Sequence, residues 1–211
     1  MSEGPLALGV LVSGGGTNLE ANFGAIEARE LSAAVRVVIS NKAGAYALER
    51  ARARGVPTCV IDHRAFAGRE AFDAEIVRVL RDHAVSCVVL AGFMRIVTSV
   101  LIDAFPDRVV NVHPALLPSF PGVHGPAQAL AYGVKVAGCT VHFVDAGVDT
   151  GPIIAQRAVD VAEGDDAAAL AARIHVEEHR ALPQALQAIA EGRVRVDRPA
   201  EGRPRVTVRS R

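Results

Sequence analysis

The sequence is short of cysteine, of net charge and of long apolar runs, and each shortage excludes something. Its three cysteines, Cys59, Cys87 and Cys139, are widely spaced and lie in apolar or β-branched runs. No CxxC-like pair is present for zinc, and an odd, scattered set reads as free thiols in a reducing compartment. Lys+Arg and Asp+Glu number 23 each, so the formal net charge is zero, with 22% of residues charged. That balance excludes wholesale disorder and a globally basic polyanion binder. The apolar stretch Leu6–Val12 has no basic segment ahead of it. It is too short for a signal-peptide core and far too short to span a membrane. Internal repeats and low-complexity segments are missing. A cytoplasmic protein with no membrane partner is expected.

What is present suits one ordinary domain. A chain of 211 residues, half of them hydrophobic, can bury about 70% of the surface it exposes when unfolded. No disulfide or structural metal is then needed for stability. The zero net charge hides an asymmetry. From Arg193 onward seven arginines stand against Asp197 and Glu201, a local +5, so the remainder carries −5. Nothing marks a boundary before about Gly192, so residues 1–192 are expected to form a single catalytic domain. Residues 193–211 form an Arg-rich tail whose Val/Arg alternation around Val194–Val196 and Arg205–Val208 suggests a short hairpin.

Apolar runs of strand length alternate with helical spacing through the first two-thirds of the chain. Strands are expected at Leu6–Val12, Val35–Ile39, Thr58–Ile61, Cys87–Leu90 and Val109–Val112. Helices are expected from Thr17, over Ala45–Arg54 with a stop at Gly55, and over Arg69–His83. This βαβα order predicts an α/β fold with a mostly parallel twisted sheet and helices on both faces. Val136–Val144 and Pro152–Val159 then follow too closely for a parallel crossover, which predicts an antiparallel pair in the C-terminal half. Asp165–Ile189 has a long helical pattern that Pro183 should kink or split.

The segment Ser13-Gly14-Gly15-Gly16-Thr17-Asn18 joins a strand to a helix. Glycines let the backbone approach closely, and the helix N-terminus offers unpaired N–H groups and a favourable dipole for a phosphate. The same segment would also serve as a plain tight turn. No Gly-Lys-Ser/Thr follows, so it is not the P-loop of nucleotide triphosphatases. The dinucleotide fingerprint fails too, because Leu19 stands where its third glycine would be and the second strand ends in Ser-Asn-Lys without an acidic residue. A single phosphate is the sharper reading.

The fifth strand runs into Asn111-Val112-His113-Pro114 and on to Pro118, Pro121 and Gly122. The prolines stiffen the connection at the strand's C-terminal end, the edge at which ligands bind in open α/β sheets. Asn111 and His113 are two apart, so on a strand their side chains point the same way. An amide donor beside a titratable imidazole suits a carbonyl that becomes an oxyanion. Asp149 lies in the turn Val148-Asp149-Thr150-Gly151-Pro152, where an aspartate often serves backbone geometry alone. If that turn folds toward His113, its carboxylate would favour the protonated ring. His175 and His179 share a helix face, but Val176 breaks the zinc-protease pattern, so no metal is expected. His124 and His142 fit either a site or a core. Arg69, at a helix start, reads as a solvated charge.

Ser13–Leu19, Leu90 through Arg95, Asn111–Gly122 and Val148–Pro152, in this order, resemble the phosphoribosylglycinamide formyltransferases, within the folate-dependent formyltransferase superfamily. The likeness runs from about Leu6 to Gly192. The His113–Pro118 region is shared across that superfamily, and the glycine loop selects the glycinamide ribonucleotide member. Gly15 replaces an asparagine common in that loop, and Cys139-Thr140 stands where Thr-Ser often occurs. The resemblance implies a Rossmann-like sheet and no second domain for a transfer RNA or regulatory ligand. It implies Asn111, His113 and Asp149 as the catalytic trio, and Gly16, Thr17 and Asn18 as the phosphate site. Arg69, Met94, Arg95, Ile96, Val97 and Asn111, with Asp145, Ala146, Gly147, Val148 and Asp149, would line the folate site. His175, Val176, Glu177 and Glu178 would contact the ribose and glycinamide.

The reaction so implied moves a formyl group from 10-formyltetrahydrofolate, a co-substrate, to the amine of glycinamide ribonucleotide in purine synthesis, with no metal and no covalent enzyme intermediate. Hydrolysis of formyltetrahydrofolate is the rival within the superfamily, and the glycine loop argues against it. An NADP-dependent oxidoreductase, with Lys42 at a 2′-phosphate, would leave Asn111, His113 and Asp149 unexplained. The tail offers a nucleic-acid reading, although no nucleic-acid partner is expected. Strand or tail exchange would be a route to a homodimer.

Overall fold

A run of seven residues, Leu6–Val12, forms β1, and its last five are all buried. Strands with both faces covered need such continuous apolar sequence, which is why this one is legible without a partner. The computed structural model describes residues 4–210, and these divide after Asn111 into two compact units.

In the first unit β1 is followed by α1 (Thr17–Glu27), β2 (Ala33–Ser40), α2 (Tyr46–Arg52) and β3 (Thr58–Val60). A single turn of 3₁₀ helix at His63–Ala65 leads to α3 (Arg69–Asp82), β4 (Cys87–Leu90), α4 (Ser99–Ala104) and β5 (Val109–His113), whose last two residues belong to the second unit. The strands lie in the order β3-β2-β1-β4-β5, and each neighbouring pair is parallel. The expected strands and the helices α2 and α3 are found with ends within two residues of those expected, and α1 starts at Thr17 as expected. Gly55 adopts a left-handed φ of 68° just beyond α2 and stops it where expected. Two elements lacked a sequence signal, the 3₁₀ turn and α4.

In the second unit α5 (Gly125–Tyr132) precedes β6 (Val136–Phe143) and β7 (Ile153–Asp160), and α6 spans Ala167–Ala190. β6 and β7 pair antiparallel from Val136↔Asp160 to His142↔Ile153, as the short connection predicts. Val194–Asp197 and Arg205–Val208 form the expected hairpin, β8 and β9, in an antiparallel register, with β9 packed near β7.

Pro183 departs from expectation, because α6 runs through it as one helix of 24 residues. A proline inside a helix costs about 3 kcal/mol. Against that, Leu170, Ile174, Leu182, Leu186 and Ile189 are all buried, on a helix packed against β6 and β7. Each contributes roughly 1.5–3 kcal/mol, so packing overrides the local preference. The Asp166 carboxylate also caps the helix start, accepting from Ala169 N at 2.7 Å.

All three cysteines are free thiols. Burial pushes the Cys87 and Cys139 thiols up to about 12, so both behave as small apolar side chains. Among the described residues no helix is long and apolar enough to cross a membrane.

Candidate active site

The first unit builds the glycine loop. Gly16 has φ 72° and sits as the residue before α1. A Cβ there would lie 2.5 Å from Ala47 Cβ and 2.9 Å from its Cα, so glycine is required by both conformation and space. The loop is seated on α2, where Ala47 N donates to the Gly14 carbonyl at 3.0 Å and Arg50 Nε to that of Gly15 at 2.9 Å. Arg50 also pairs with Glu20 at 2.9 Å, and Arg54 reaches the same carboxylate at 2.6 Å. Burial opposes ionisation of Glu20, but the hydrogen bonds from Arg54 and Arg50 outweigh it and hold the carboxyl below its usual range. No side chain caps the start of α1. Its first-turn N–H groups and exposed Thr17 therefore form an amide nest of the kind that accepts an anion.

Met94, Arg95, Ile96 and Val97 lie on the loop between β4 and α4. Met94 and Ile96 are 63% and 54% exposed, which makes an apolar surface on a loop. Asp73 of α3 closes the far end, accepting from Thr98 N and from Thr98 Oγ1, the latter at 2.8 Å. Burial pushes the Asp73 carboxyl up, partly offset by those two bonds. Arg69 is the exposed first residue of α3. Asn111 is half-buried on β5, in register with Leu90 of β4.

The second unit holds the histidine cluster. His113 ends β5, two residues beyond Asn111, and is 3% exposed. Its Nδ1 lies 3.3 Å from Asp149 Oδ2, and its Nε2 lies 2.9 Å from the Phe120 carbonyl. A carbonyl can only accept, so Nε2 carries a proton. Both nitrogens thus face acceptor oxygens. Asp149 is held by its own turn, with φ 53°, and by the Gly122 amide, which donates to Oδ2 at 2.8 Å. The proline segment and the Asp149 turn are therefore brought together, as the argument from His113 required.

A second imidazole completes the cluster. His142 on β6 is 2% exposed, with Nδ1 2.8 Å from the Phe143 carbonyl and Nε2 3.7 Å from Asp149 Oδ1. Burial pushes its pKa down, against the Phe143 carbonyl and the Asp149 carboxylate. His142 is thus at once a core residue and a neighbour of Asp149, where sequence alone left both readings open. His124 is exposed, with φ 62° at the start of α5.

Asp145 folds back on its own turn, accepting from Gly147 N at 3.1 Å and Thr150 Oγ1 at 2.6 Å. Ala146, Gly147 and Val148 form its exposed tip. On α6, His175 and Val176 are exposed and Glu178 is buried. Glu177 pairs with Arg180 at 2.6 Å and Arg157 at 3.4 Å. The His175 and His179 rings stack at 6.4 Å, and among the described residues no group of three or more metal-ligating side chains is gathered.

A family model described as Formyl transferase matches residues 7–186. The chain belongs to the formyl transferase family. Among relatives of this formyl transferase, the phosphoribosylglycinamide formyltransferase of Escherichia coli is 41% identical over 187 residues, covering 89% of this chain and 88% of that protein. The trifunctional purine biosynthetic protein adenosine-3 of Drosophila pseudoobscura is 47% identical over 197 residues. That match takes in 92% of this chain but only 14% of the longer protein. The crystal structure of glycinamide ribonucleotide transformylase 1 from Symbiobacterium toebii superposes with a TM-score of 0.91 at 50% identity, covering 97% of this chain and 94% of that one. At that coverage the structural match extends into residues 193–211, beyond the end of the family model.

Three contacts of this formyl transferase had no sequence signal. The Phe120 carbonyl at His113, the Arg50 brace on Gly15 and the tie from Arg203 to the Thr150 carbonyl all act through backbone oxygens, which sequence spacing does not record.

Proposed function

We propose that the chain transfers the formyl group of 10-formyltetrahydrofolate to the amine of glycinamide ribonucleotide, giving formylglycinamide ribonucleotide and tetrahydrofolate. The observation that carries this reading is the buried His113 ring set between Asp149 Oδ2 and the Phe120 carbonyl, two residues from Asn111 on β5. Relatives that share most of this chain's length and bear the phosphoribosylglycinamide formyltransferase name support it.

In this reading the substrate amine attacks the formyl carbon and the carbonyl oxygen becomes an oxyanion. The Asn111 amide and the protonated His113 ring donate to it, while the Asp149 carboxylate keeps the ring charged and oriented. For Nε2–H to reach the oxyanion it must exchange the Phe120 carbonyl for it, while the Gly122 amide keeps Asp149 in place. The attacking nitrogen then loses a proton, the departing folate nitrogen gains one, and the C–N bond to folate breaks. Holding both substrates together supplies much of the rate.

Gly16, Thr17 and Asn18 bind the nucleotide phosphate, supported by the uncapped start of α1. Arg69, the 94–97 loop, Asn111 and the 145–149 turn receive the folate, and His175 to Glu178 of α6 receive the ribose and glycinamide. The reaction is placed in the cytoplasm, consistent with three free thiols. A homodimer, readable by light scattering, stays part of the proposal. The test is tetrahydrofolate release from 10-formyltetrahydrofolate with and without glycinamide ribonucleotide. Release that requires the nucleotide supports transfer, and equal release without it supports the hydrolase.

A further inference from the structure

Ser13 occupies a position that neither the glycine loop nor the 94–97 loop explains alone. It is 5% exposed and is the first residue after β1, directly before Gly14. Its amide donates to the Gly92 carbonyl at 3.1 Å. Its hydroxyl accepts from Met94 N at 2.9 Å and donates to Asn41 Oδ1 at 2.6 Å. One small side chain therefore joins the root of the glycine loop, the start of the 94–97 loop and the end of β2. The Asn41 amide is oriented in turn, with Nδ2 3.5 Å from His63 Nδ1.

The geometry is directional. A hydroxyl has one proton, and Asn41 Oδ1 takes it, so the oxygen's lone pairs are left for Met94 N–H. Losing the hydroxyl strands a buried acceptor and a backbone donor together, which costs more than the bond itself. The other anchors act on one loop each. Ala47 and Arg50 hold only the glycine loop, whereas Asp73 holds only the far end of the 94–97 loop.

We propose that Ser13 is a positioning residue that sets the phosphate-binding loop and the folate-lining loop relative to each other. This rests on the formyl transfer proposed above, with the nucleotide phosphate at Gly16–Asn18 and the folate along Met94–Val97. Ser13 touches neither substrate's reacting atoms. It fixes the separation of the two loops that hold them.

Steady-state kinetics of the full chain test this. Ser13→Ala is expected to raise KM for both glycinamide ribonucleotide and 10-formyltetrahydrofolate, each by roughly tenfold, the scale of one lost buried hydrogen bond. Asp73→Ala is expected to raise the folate KM alone. Ser13→Thr keeps the hydroxyl and is expected to restore both constants to within about threefold of wild type. Asn41→Ala removes the acceptor that aims the hydroxyl, and is expected to move the same two constants by a smaller factor. A merely structural role would lower the melting temperature in all three Ala variants without this split. Unchanged constants in Ser13→Ala, or a rise in only one, overturn the inference. Should Ser13→Ala not fold, Asn41→Ala decides by the same criterion. Wild-type protein that forms no formylated nucleotide would instead sink the underlying reading, an outcome visible before any variant is made.

Discussion

Asp149 Oδ2 lies 3.3 Å from His113 Nδ1 while also accepting the Gly122 amide at 2.8 Å. The carboxylate is thus fixed by the loop that follows the histidine it faces. Its side chain is 14% exposed and that of His113 is 4% exposed, so the pair is held largely out of water, where charge interactions are strong.

Replacing either proposed oxyanion donor should be costly. Asn111→Ala and His113→Ala are each expected to lower kcat by about 10²–10³, the scale for losing one such donor, with much smaller changes in either KM. Asp149→Asn keeps the shape but removes the negative charge, and is expected to lower kcat by roughly 10². Steady-state turnover checks all three, and wild-type turnover in the His113 variant would contradict its role.

His142 should make the fold acid-sensitive. Burial holds its folded pKa below the ordinary histidine value of 6.5. The unfolded chain therefore binds this proton more readily, and stability falls as pH drops through that value. His179, lowered by burial and by neighbouring His175, acts in the same direction. Urea midpoints between about pH 7.5 and 5.5 should decline in the wild type and decline less in His142→Asn. Parallel slopes in the two proteins would contradict the assignment.

Gly16→Ala should damage the glycine loop specifically. The new methyl would meet Ala47 at 2.5 Å in a residue with φ 72°. Strain of about 1–3 kcal/mol is expected, together with a raised KM for the nucleotide and an unchanged KM for the folate. Urea unfolding and substrate titration measure the two parts separately.

Asn22 offers a stabilising change. It is fully buried on α1, and neither its amide nitrogen nor its carbonyl oxygen has a hydrogen-bond partner among the described residues. Asn22→Leu, of similar size, removes an uncompensated polar group and is expected to stabilise the fold by about 1–3 kcal/mol. A lower urea midpoint in that variant would contradict the expectation.

The strands were legible because parallel strands buried on both faces need unbroken apolar runs, as in Leu6–Val12 and Cys87–Leu90. Helix α5 was not, since its Gly125-Pro126 start looks like a turn and it spans only eight residues. The break expected at Pro183 does not occur because the five large apolar side chains that α6 buries outweigh the proline's local preference. At the site, Asn111 and His113 could be paired from strand periodicity, but Asp149 is 36 positions beyond His113 and needed the resemblance. His142 stayed ambiguous because a buried strand histidine has the same local pattern whether or not it meets a carboxylate. Ser13 read only as part of the glycine loop, since its partners, Gly92 and Met94 after β4 and Asn41 after β2, lie on two other loops far away in sequence.

The most direct measurement follows the formyl group itself. The protein is mixed with 10-formyltetrahydrofolate labelled in the formyl carbon and with glycinamide ribonucleotide, and the labelled products are separated after a single turnover. Transfer predicts the label in the amide of the nucleotide, in amounts equal to the tetrahydrofolate formed. Label recovered as free formate, with the nucleotide unmodified, would contradict the account.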